Sequence, residues 1–160
     1  MEEPKIPKEY LVNTESLGNG VNQLKYTIEG SDLEIKELKK NIEINLLITK
    51  IIKKILIKGT IVFKLELECA RCMESSIINF AEEVKSVFLP YSLTAVQSEE
   101  ETEDPDVNFY KGKTINLMPL IRDTILLAVP IKPICTPSCK GLCPVCGKNL
   151  NEGDCGCSRV

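Results

Sequence analysis

The chain has 160 residues, of which 43% are hydrophobic and 27% are charged, and its formal net charge is −3. This composition is typical of a globular protein with one domain, or with one domain and a small appendage, and it excludes a disordered or fibrous class. No histidine occurs in the sequence, which excludes Ser-His and Cys-His catalysis, HExxH zinc sites and a histidine-based pH switch.

The N-terminal stretch MEEPKIPKEYLV contains no basic segment followed by an apolar one, so it is not predicted to be a signal peptide. No apolar run approaches the ~20 residues that cross a bilayer. We therefore expect a cytoplasmic protein with no membrane partner. In that compartment, paired cysteines usually indicate metal or redox chemistry rather than structural disulfides.

Short strands are predicted at residues 9–13 and 24–28, and residues 33–39 have weak helical spacing. Residues 42–48 alternate between apolar and polar side chains, which predicts a further strand. Residues 36–64 hold eight lysines and two glutamates, so this part of the chain is basic. Such runs are also found on ordinary solvated surfaces, so charge alone does not identify a partner.

The clearest strand prediction covers residues 55–67, where apolar and polar residues alternate strictly. Gly59 falls on the apolar face of this pattern, which predicts a bulge or bend. A second alternating segment follows Cys72 and ends at Pro90. Period-two patterns of this length indicate half-buried antiparallel strands, so Cys69 and Cys72 are expected in the turn between two of them.

Residues 92–113 are polar and acidic and are predicted to form a loop. Within it, residues 99–106 (EEETEDPD) carry six acidic groups and no basic one, so the rest of the chain has a net charge of +3. A helix is predicted at residues 116–129, with Asn116 as its cap and Pro119 in its first turn.

Together these elements predict an α+β fold: a mainly antiparallel β-sheet or partial barrel, one main C-terminal helix and a cysteine-rich zinc-knuckle tail. We expect residues 1–134 to form the β-rich domain and residues 135–160 to form the tail, tied to a knuckle at residues 69–72. The tail has six cysteines, four glycines and few apolar residues. It is too small to fold by packing alone, so a cross-link must stabilise it.

The eight cysteines occur as four close pairs, and zinc commonly takes two thiolates from each of two short turns. We predict two four-cysteine zinc sites. The first combines Cys69, Cys72, Cys135 and Cys139, and the second combines Cys143, Cys146, Cys155 and Cys157. A different grouping is also open, in which residues 135, 139, 143 and 146 form one site and residues 69, 72, 155 and 157 form the other.

The segment CPVCG, residues 143–147, has the form of a zinc knuckle, in which Gly147 can adopt the positive φ needed after the second ligand. Disulfides, an iron–sulfur cluster and a thioredoxin-like dithiol at Cys69 and Cys72 are the competing interpretations. A site filled by four thiolates has no open position for a substrate water, so it is structural rather than hydrolytic.

Three segments resemble the YceD family, the large ribosomal RNA subunit accumulation proteins: LECARCMESS (67–76), INLMPLIRDTILLAVPIKPIC (115–135) and CKGLCPVCGKNLNEGDCGC (139–157). Asn116 and Asp123 stand where the family pattern has an acidic cap and a glutamate. The resemblance implies a role in accumulation or processing of large-subunit ribosomal RNA, hence in ribosome assembly, and no catalytic activity. It also implies that the first cysteine site is separate from the second.

The leading hypothesis is a non-enzymatic, zinc-stabilised module that binds ribosomal RNA or an assembling large subunit. Ribosomal proteins are a further expected class of partner, and no small-molecule substrate is expected. The candidate RNA-contacting residues are Arg71, Lys50, Lys53, Lys54 and Lys140. An alternative is a zinc-scaffolded protein adaptor that uses the acidic loop without touching RNA. A third is a redox enzyme or metal-responsive switch with exposed thiolates.

Overall fold

A five-stranded sheet dominates the computed structural model, which describes residues 6–39, 41–91 and 107–157. Its order is β2-β3-β4-β5-β6. The strands are β2 (Gly20–Ile28), β3 (Ile42–Ile51), β4 (Lys54–Glu68), β5 (Ser75–Pro90) and β6 (Val107–Tyr110). The pairs from β2 to β5 are antiparallel, and β6 is parallel to β5. The sheet is open, with β2 and β6 at its edges, and it confirms the predicted mainly antiparallel α+β architecture.

The core lies against one face of this sheet, as the alternating sequence pattern predicts. From Ile55 to Leu67, the odd-numbered residues of β4 point to this inner face, and all except Gly59 are buried. The even-numbered residues point to the opposite, outer face and are exposed or half-buried. Cys69 and Cys72 follow β4 and precede β5, so they occupy the predicted turn.

Two short strands and one helix cover the inner face. They are β1 (Leu11–Asn13), β7 (Thr114–Asn116), which is antiparallel to β1, and α1 (Met118–Ala128). Their apolar side chains join those of the sheet in a single buried cluster. Within the described part of the chain, no helix is long and apolar enough to cross a membrane.

The helix forms where the sequence predicts it, beginning two residues later and ending one residue earlier. The prediction of Asn116 as the cap is wrong by one residue, because Leu117 is the N-cap and its side chain makes no capping bond. The side-chain oxygen of Asn116, one residue earlier, accepts the backbone N–H of Met118 at 2.9 Å, and Pro119 lies in the first turn. Ile121 and Ile125, one turn apart, are buried against the sheet. The helix therefore directs the chain from the core toward the cysteine-rich tail.

Gly59 produces no bulge, so that part of the prediction is wrong. The register is unbroken around it, with Leu46 of β3 on one side and Val84 of β5 on the other. A Cβ on Gly59 would lie 2.1 Å from the carbonyl oxygen of Asn45 and 2.8 Å from the Cα of Leu46. Glycine is required here because two backbones approach closely, not because a residue is inserted.

Two other expectations differ from the structure. Residues 33–39 form no α-helix: a single 3-10 turn, Ser31–Leu33, is followed by an isolated bridge between Leu38 and Leu65. The loop predicted over residues 92–113 extends too far, because β6 and β7 occupy residues 107–110 and 114–116. Residues 92–106, including the acidic run, lie outside the described residues.

Candidate metal centres

The turn between β4 and β5 folds into a knuckle around Cys69. The backbone N–H of Arg71 donates to Sγ of Cys69 at 3.4 Å, and the N–H of Met73 donates to the carbonyl oxygen of Cys69 at 2.9 Å. The N–H of Cys69 in turn donates to the carbonyl oxygen of Glu74 at 2.9 Å, which closes the turn. Cys72 thereby faces the same side as Cys69.

The chain after α1 brings the other two thiols to this knuckle. The backbone N–H of Ala70 donates to the carbonyl oxygen of Pro133 at 2.8 Å, which fixes the segment beside the turn. A second turn, closed by the N–H of Cys139 on the carbonyl oxygen of Thr136 at 3.0 Å, then presents Cys135 and Cys139.

The first cluster consists of Cys69, Cys72, Cys135 and Cys139, whose sulfur atoms all lie within 4.8 Å of one another. Sγ of Cys69 is 3.8 Å from Sγ of Cys139, and Sγ of Cys72 is 3.7 Å from Sγ of Cys135. Four sulfurs placed 2.3 Å from a tetrahedral ion would be about 3.8 Å apart, whereas a disulfide brings two sulfurs to about 2.05 Å. All eight cysteines are free thiols.

The second cluster consists of Cys143, Cys146, Cys155 and Cys157, whose sulfurs also lie within 4.8 Å of one another. Its knuckle repeats the geometry of the first. The backbone N–H of Val145 donates to Sγ of Cys143 at 3.4 Å, and the N–H of Gly147 donates to the carbonyl oxygen of Cys143 at 2.9 Å.

Met73 and Gly147 occupy equivalent positions in the two knuckles. Each follows the second cysteine of a CxxC turn, with φ of 62° for Met73 and 75° for Gly147. Gly147 was predicted to adopt this conformation. Met73 was not singled out, although its position directly after Cys72 was the available signal.

The thiols of the first cluster differ in acidity. Hydrogen bonds from backbone N–H groups, that of Cys135 first and that of Cys72 second, lower the pKa of Cys69 to about 6. The N–H of Glu74 lowers the pKa of Cys72, but burial and the neighbouring thiols outweigh it and raise that pKa to about 12. A divalent cation would bind all four as thiolates and displace the remaining protons.

The second cluster has the same asymmetry. The backbone N–H groups of Cys146 and Val145 lower the pKa of Cys143 to about 6. Hydrogen bonding with the thiols of Cys146 and Cys155 raises the pKa of Cys157 to about 12. The pKa values of these two thiols are therefore shifted in opposite directions, and a cation that bound both sulfurs would displace the remaining protons.

The loops of the two clusters contact each other directly. The backbone N–H of Leu142 donates to the carbonyl oxygen of Arg71 at 3.1 Å. Gly141, at φ +74°, lies so close that a Cβ there would be 3.0 Å from the same oxygen. The side chain of Asn151 donates to Sγ of Cys139 at 3.3 Å and accepts the N–H of Lys140 at 2.8 Å. Asn151 was missed in the sequence because no spacing rule marks it.

Both clusters fit the chemistry of a tetrahedral thiolate-binding cation. Each offers four sulfur donors within 4.8 Å of one another and a backbone N–H directed at one of them, Sγ of Cys69 in the first cluster and Sγ of Cys143 in the second. Zinc matches this donor set. An iron–sulfur cluster also takes four thiolates, but a cluster of several iron atoms needs a wider cage than sulfurs within 4.8 Å of one another provide. The sequence left two groupings of the eight cysteines open. The structure brings together the first of them, in which Cys69 and Cys72 join Cys135 and Cys139, and Cys143 and Cys146 join Cys155 and Cys157.

The candidate RNA-contacting residues fall into two groups at opposite ends of β4. Arg71 and Lys140 lie beside the first cluster, where one guanidinium nitrogen of Arg71 donates to the carbonyl oxygen of Cys139 at 3.0 Å. Lys50, Lys53 and Lys54 lie at the hairpin between β3 and β4. Lys54 and Glu68 are 14 residues apart on a strand, which separates the groups by roughly 45 Å.

Lys50 is engaged within the protein. Its Nζ donates to the carbonyl oxygen of Thr14 at 2.7 Å and to that of Leu17 at 3.3 Å. It points to the inner face of β3 and is half-buried, whereas Lys53 and Lys54 are exposed. Lys50 therefore stabilises the loop after β1, and the hairpin end offers Lys53 and Lys54 to solvent.

Comparison with known proteins relates the chain to two groups of relatives. An uncharacterized protein of Mycobacterium tuberculosis is 31% identical over 109 residues, which cover 68% of this chain and 51% of that protein. An uncharacterized protein of Mycobacterium leprae is 30% identical over 122 residues, covering 76% and 54%. The chain thus spans about half the length of these curated relatives.

A plant protein is also similar. The large ribosomal RNA subunit accumulation protein YCED homolog 1, chloroplastic, of Arabidopsis thaliana is 30% identical over 139 residues, covering 67% of this chain and 40% of that protein. No solved structure matches the chain. The family model described as large ribosomal RNA subunit accumulation protein YceD matches residues 57–160. This match covers more than half of the chain, which therefore belongs to the YceD family.

Proposed function

We propose that this chain is a non-enzymatic, zinc-binding ribosome-biogenesis factor that supports the accumulation of large-subunit ribosomal RNA. The single observation that carries the proposal is the pair of four-thiol clusters, the first of which joins the tail to the β4–β5 turn, in a chain of the YceD family. The name of the Arabidopsis thaliana relative associates that protein with large-subunit ribosomal RNA. We extend this role to the present chain.

The proposed cofactor is one zinc ion in each cluster. Thiolates are soft ligands that select zinc over magnesium or calcium, and sulfur separations of 3.7 and 3.8 Å suit a single tetrahedral ion. Of the tail residues that the structure describes, 135–157, only Cys139, Cys143 and Leu150 are among the buried apolar residues. Zinc binding therefore supplies most of the folding free energy of this tail.

The proposal of a non-catalytic role rests on the closure of both sites. Four thiolates would fill the four positions of a tetrahedral ion, so no position is available for a water or a substrate. The ions would act as structural cross-links that hold a binding surface in place. The proposed ligand is ribosomal RNA or an assembling large subunit, in a compartment that contains ribosomes.

The test is the ratio of mature large-subunit to small-subunit ribosomal RNA in cells that lack the gene. We expect deletion to lower this ratio and the intact chain to restore it. Cys143→Ser should fail to restore it, whereas Ser138→Ala, an exposed residue between two cysteines, should restore it fully. A ratio that deletion leaves unchanged would refute the proposed role.

Co-sedimentation tests the physical contact. The chain should migrate with large-subunit precursors in a sucrose gradient and should be released by ribonuclease treatment. A chain found only in the ribosome-free fractions, at low and at moderate salt, would exclude a stable association with the particle.

A protein adaptor is the second candidate, favoured by the six acidic groups at residues 99–106. This segment would attract a basic ribosomal protein, and RNA contact would not be needed. Deleting residues 99–106 separates the two candidates. Loss of a protein partner with co-sedimentation of RNA intact supports an additional adaptor role, and loss of all association with the particle supports the adaptor alone.

A further inference from the structure

Two exposed aromatic rings lie side by side where β5 and β6 end. The ring centroids of Tyr91 and Phe109 are 5.7 Å apart, with their planes inclined by 53°. Tyr91 is 52% exposed and Phe109 is 41% exposed. Nζ of Lys111 lies 4.8 Å from the centroid of the Tyr91 ring. Large aromatic side chains usually gain stability by burial, so a half-exposed pair beside a cation suggests a binding surface.

Lysine side chains of the neighbouring strands β4 and β5 lie on the outer face of the sheet, at the same end as the two rings. Lys58 lies directly opposite Lys85 in the β4–β5 register, so two lysine side chains are neighbours there. Lys54 begins β4, and Ile55, the next residue, pairs with Phe88. Glu83, two residues before Lys85 on the same face, limits the basic region on the side toward the metal centres.

The aromatic pair and the lysines belong to one surface because β6 is tied to the hairpin. The hydroxyl of Tyr110 donates to the carbonyl oxygen of Lys53 at 3.1 Å, which holds the end of β6 against the β3–β4 turn. Between the lysines and Phe109, half-buried apolar side chains from three strands form the floor. These are Leu56, Val87 and Val107, which occupy paired positions across β4, β5 and β6.

We propose that this aromatic–lysine surface, formed by Lys54, Lys58, Tyr91, Phe109 and Lys111, binds single-stranded RNA. Bases stack on the exposed rings, because every base has a π-face, and the lysines contact phosphates. The inference rests on the proposed function and assigns its RNA contact to a specific place. That place is the end of the sheet remote from both cysteine clusters.

The metal-proximal end has weaker features for this ligand. Arg71 is held by its bond to the carbonyl oxygen of Cys139, and no aromatic side chain occurs between residues 111 and 157, all of which the structure describes. The two ends therefore have separate tasks, with the cysteine clusters organising the tail and the hairpin end contacting RNA.

The experiment measures binding of the zinc-loaded full chain to a fluorescein-labelled, 16-nucleotide single-stranded RNA of mixed sequence by anisotropy. Phe109→Leu keeps an apolar side chain but removes the ring, and it should weaken binding at least about fivefold. Phe109→Trp should bind like the intact chain. Because the chain has no tryptophan, the fluorescence of this variant reports directly on the site and should be quenched by the RNA.

The charge test uses the double variant Lys54→Gln/Lys58→Gln. Losing two phosphate contacts should reduce the slope of log Kd against log salt by about 1.4, at ~0.7 for each contact with a single strand. Lys132→Gln and Ile131→Ala are the matched controls, since both residues are exposed and lie near the metal end, and Lys140→Gln tests the rival contact at that end. Both controls should bind like the intact chain, and thermal unfolding verifies that every variant is folded.

Three results would overturn the inference. One is unchanged affinity in both Phe109→Leu and the double lysine variant, combined with loss in Lys140→Gln. Another is failure of the intact chain to bind the RNA at any salt concentration. The third is that the chain binds no RNA but captures ribosomal proteins from a ribonuclease-treated sample, and that Phe109→Leu abolishes this capture. In each case the proposed function is still tested independently, by the ratio of large-subunit to small-subunit ribosomal RNA and by co-sedimentation.

Discussion

The side-chain amide of Asn151 donates a hydrogen bond to Sγ of Cys139 across 3.3 Å, and this bond joins the two cysteine clusters. Asn151 lies in the loop between Cys146 and Cys155, which the second cluster closes, whereas Cys139 belongs to the first cluster. Folding of the second loop therefore completes the surroundings of a sulfur in the first. Groups that hydrogen-bond to metal ligands in this way orient the ligands and increase affinity.

Asn151→Ala should therefore weaken metal binding by the first cluster about 10- to 100-fold while sparing the second. Competition with a chromogenic chelator would distinguish the two ions by the rates at which they are released. Asn79→Ala, an exposed asparagine on the outer face of β5, is the control and should release both ions like the intact chain. Release of both ions from Asn151→Ala at the rates of that control would contradict the coupling.

Cysteine variants should separate the two sites. Cys143→Ser or Cys155→Ser removes one ion and exposes the tail to protease, while the sheet stays resistant, because metal binding is the folding free energy of the tail. Cys69→Ser or Cys72→Ser should also lower the stability of the sheet, because both residues are buried in the β4–β5 turn.

Metal stoichiometry at saturating zinc, together with limited proteolysis, checks this expectation. Each variant should retain one ion. Variants from the two clusters that show the same cleavage pattern and lose both ions would argue against two separate four-cysteine sites.

Met73 and Gly147 occupy equivalent positions. Removing the side chain from the first and adding one to the second should therefore change the free energy of unfolding in opposite directions. Met73 has φ 62° and is largely exposed, so Met73→Gly relieves backbone strain with little loss of packing and should stabilise the protein by up to about 1 kcal/mol. Gly147→Ala should destabilise the tail by about 1 kcal/mol, because alanine disfavours the left-handed region.

Urea unfolding of the zinc-loaded chain measures both effects, and Met73→Ala, which keeps a Cβ, is the control that should bring no gain. Destabilisation by Met73→Gly equal to that of Gly147→Ala would mean that the two knuckles are not equivalent.

Gly59→Ala tests the close approach of β3 to β4. The new Cβ would lie 2.1 Å from the carbonyl oxygen of Asn45, so the strands must move apart at a cost of about 2–3 kcal/mol. Gly18→Ala is the matched control, because its Cβ would meet only the side chain of Asn22, at 3.5 Å. Equal unfolding midpoints for the two variants in urea would exclude the close approach.

The sequence predicts the long strands well because one face of each is buried. Strict alternation from residue 55 to 67 identifies β4, and Pro90 correctly marks the end of β5. Thiol pairs at knuckle spacing also predict the cysteine groups, since short turns direct both sulfurs of a pair to one side. These features depend on local geometry, which the order of residues encodes directly.

Features that depend on tertiary contacts could not be predicted in the same way. The four residues of β6 are too short for a periodic signal, and their parallel pairing is set by β5. Lys50 appeared equivalent to Lys53 in the sequence, but its place on the inner face directs it to the carbonyl oxygens of the loop after β1. The role of Asn151 likewise depends on a contact between two loops rather than on spacing.

Metal content tests the central claim most directly. The chain should be purified under reducing conditions without added metal, and elemental analysis and limited proteolysis should then be performed with and without EDTA. We predict two zinc ions per chain and a tail that becomes protease-sensitive when EDTA removes them. A metal-free chain whose tail resists protease equally with and without EDTA would contradict the account.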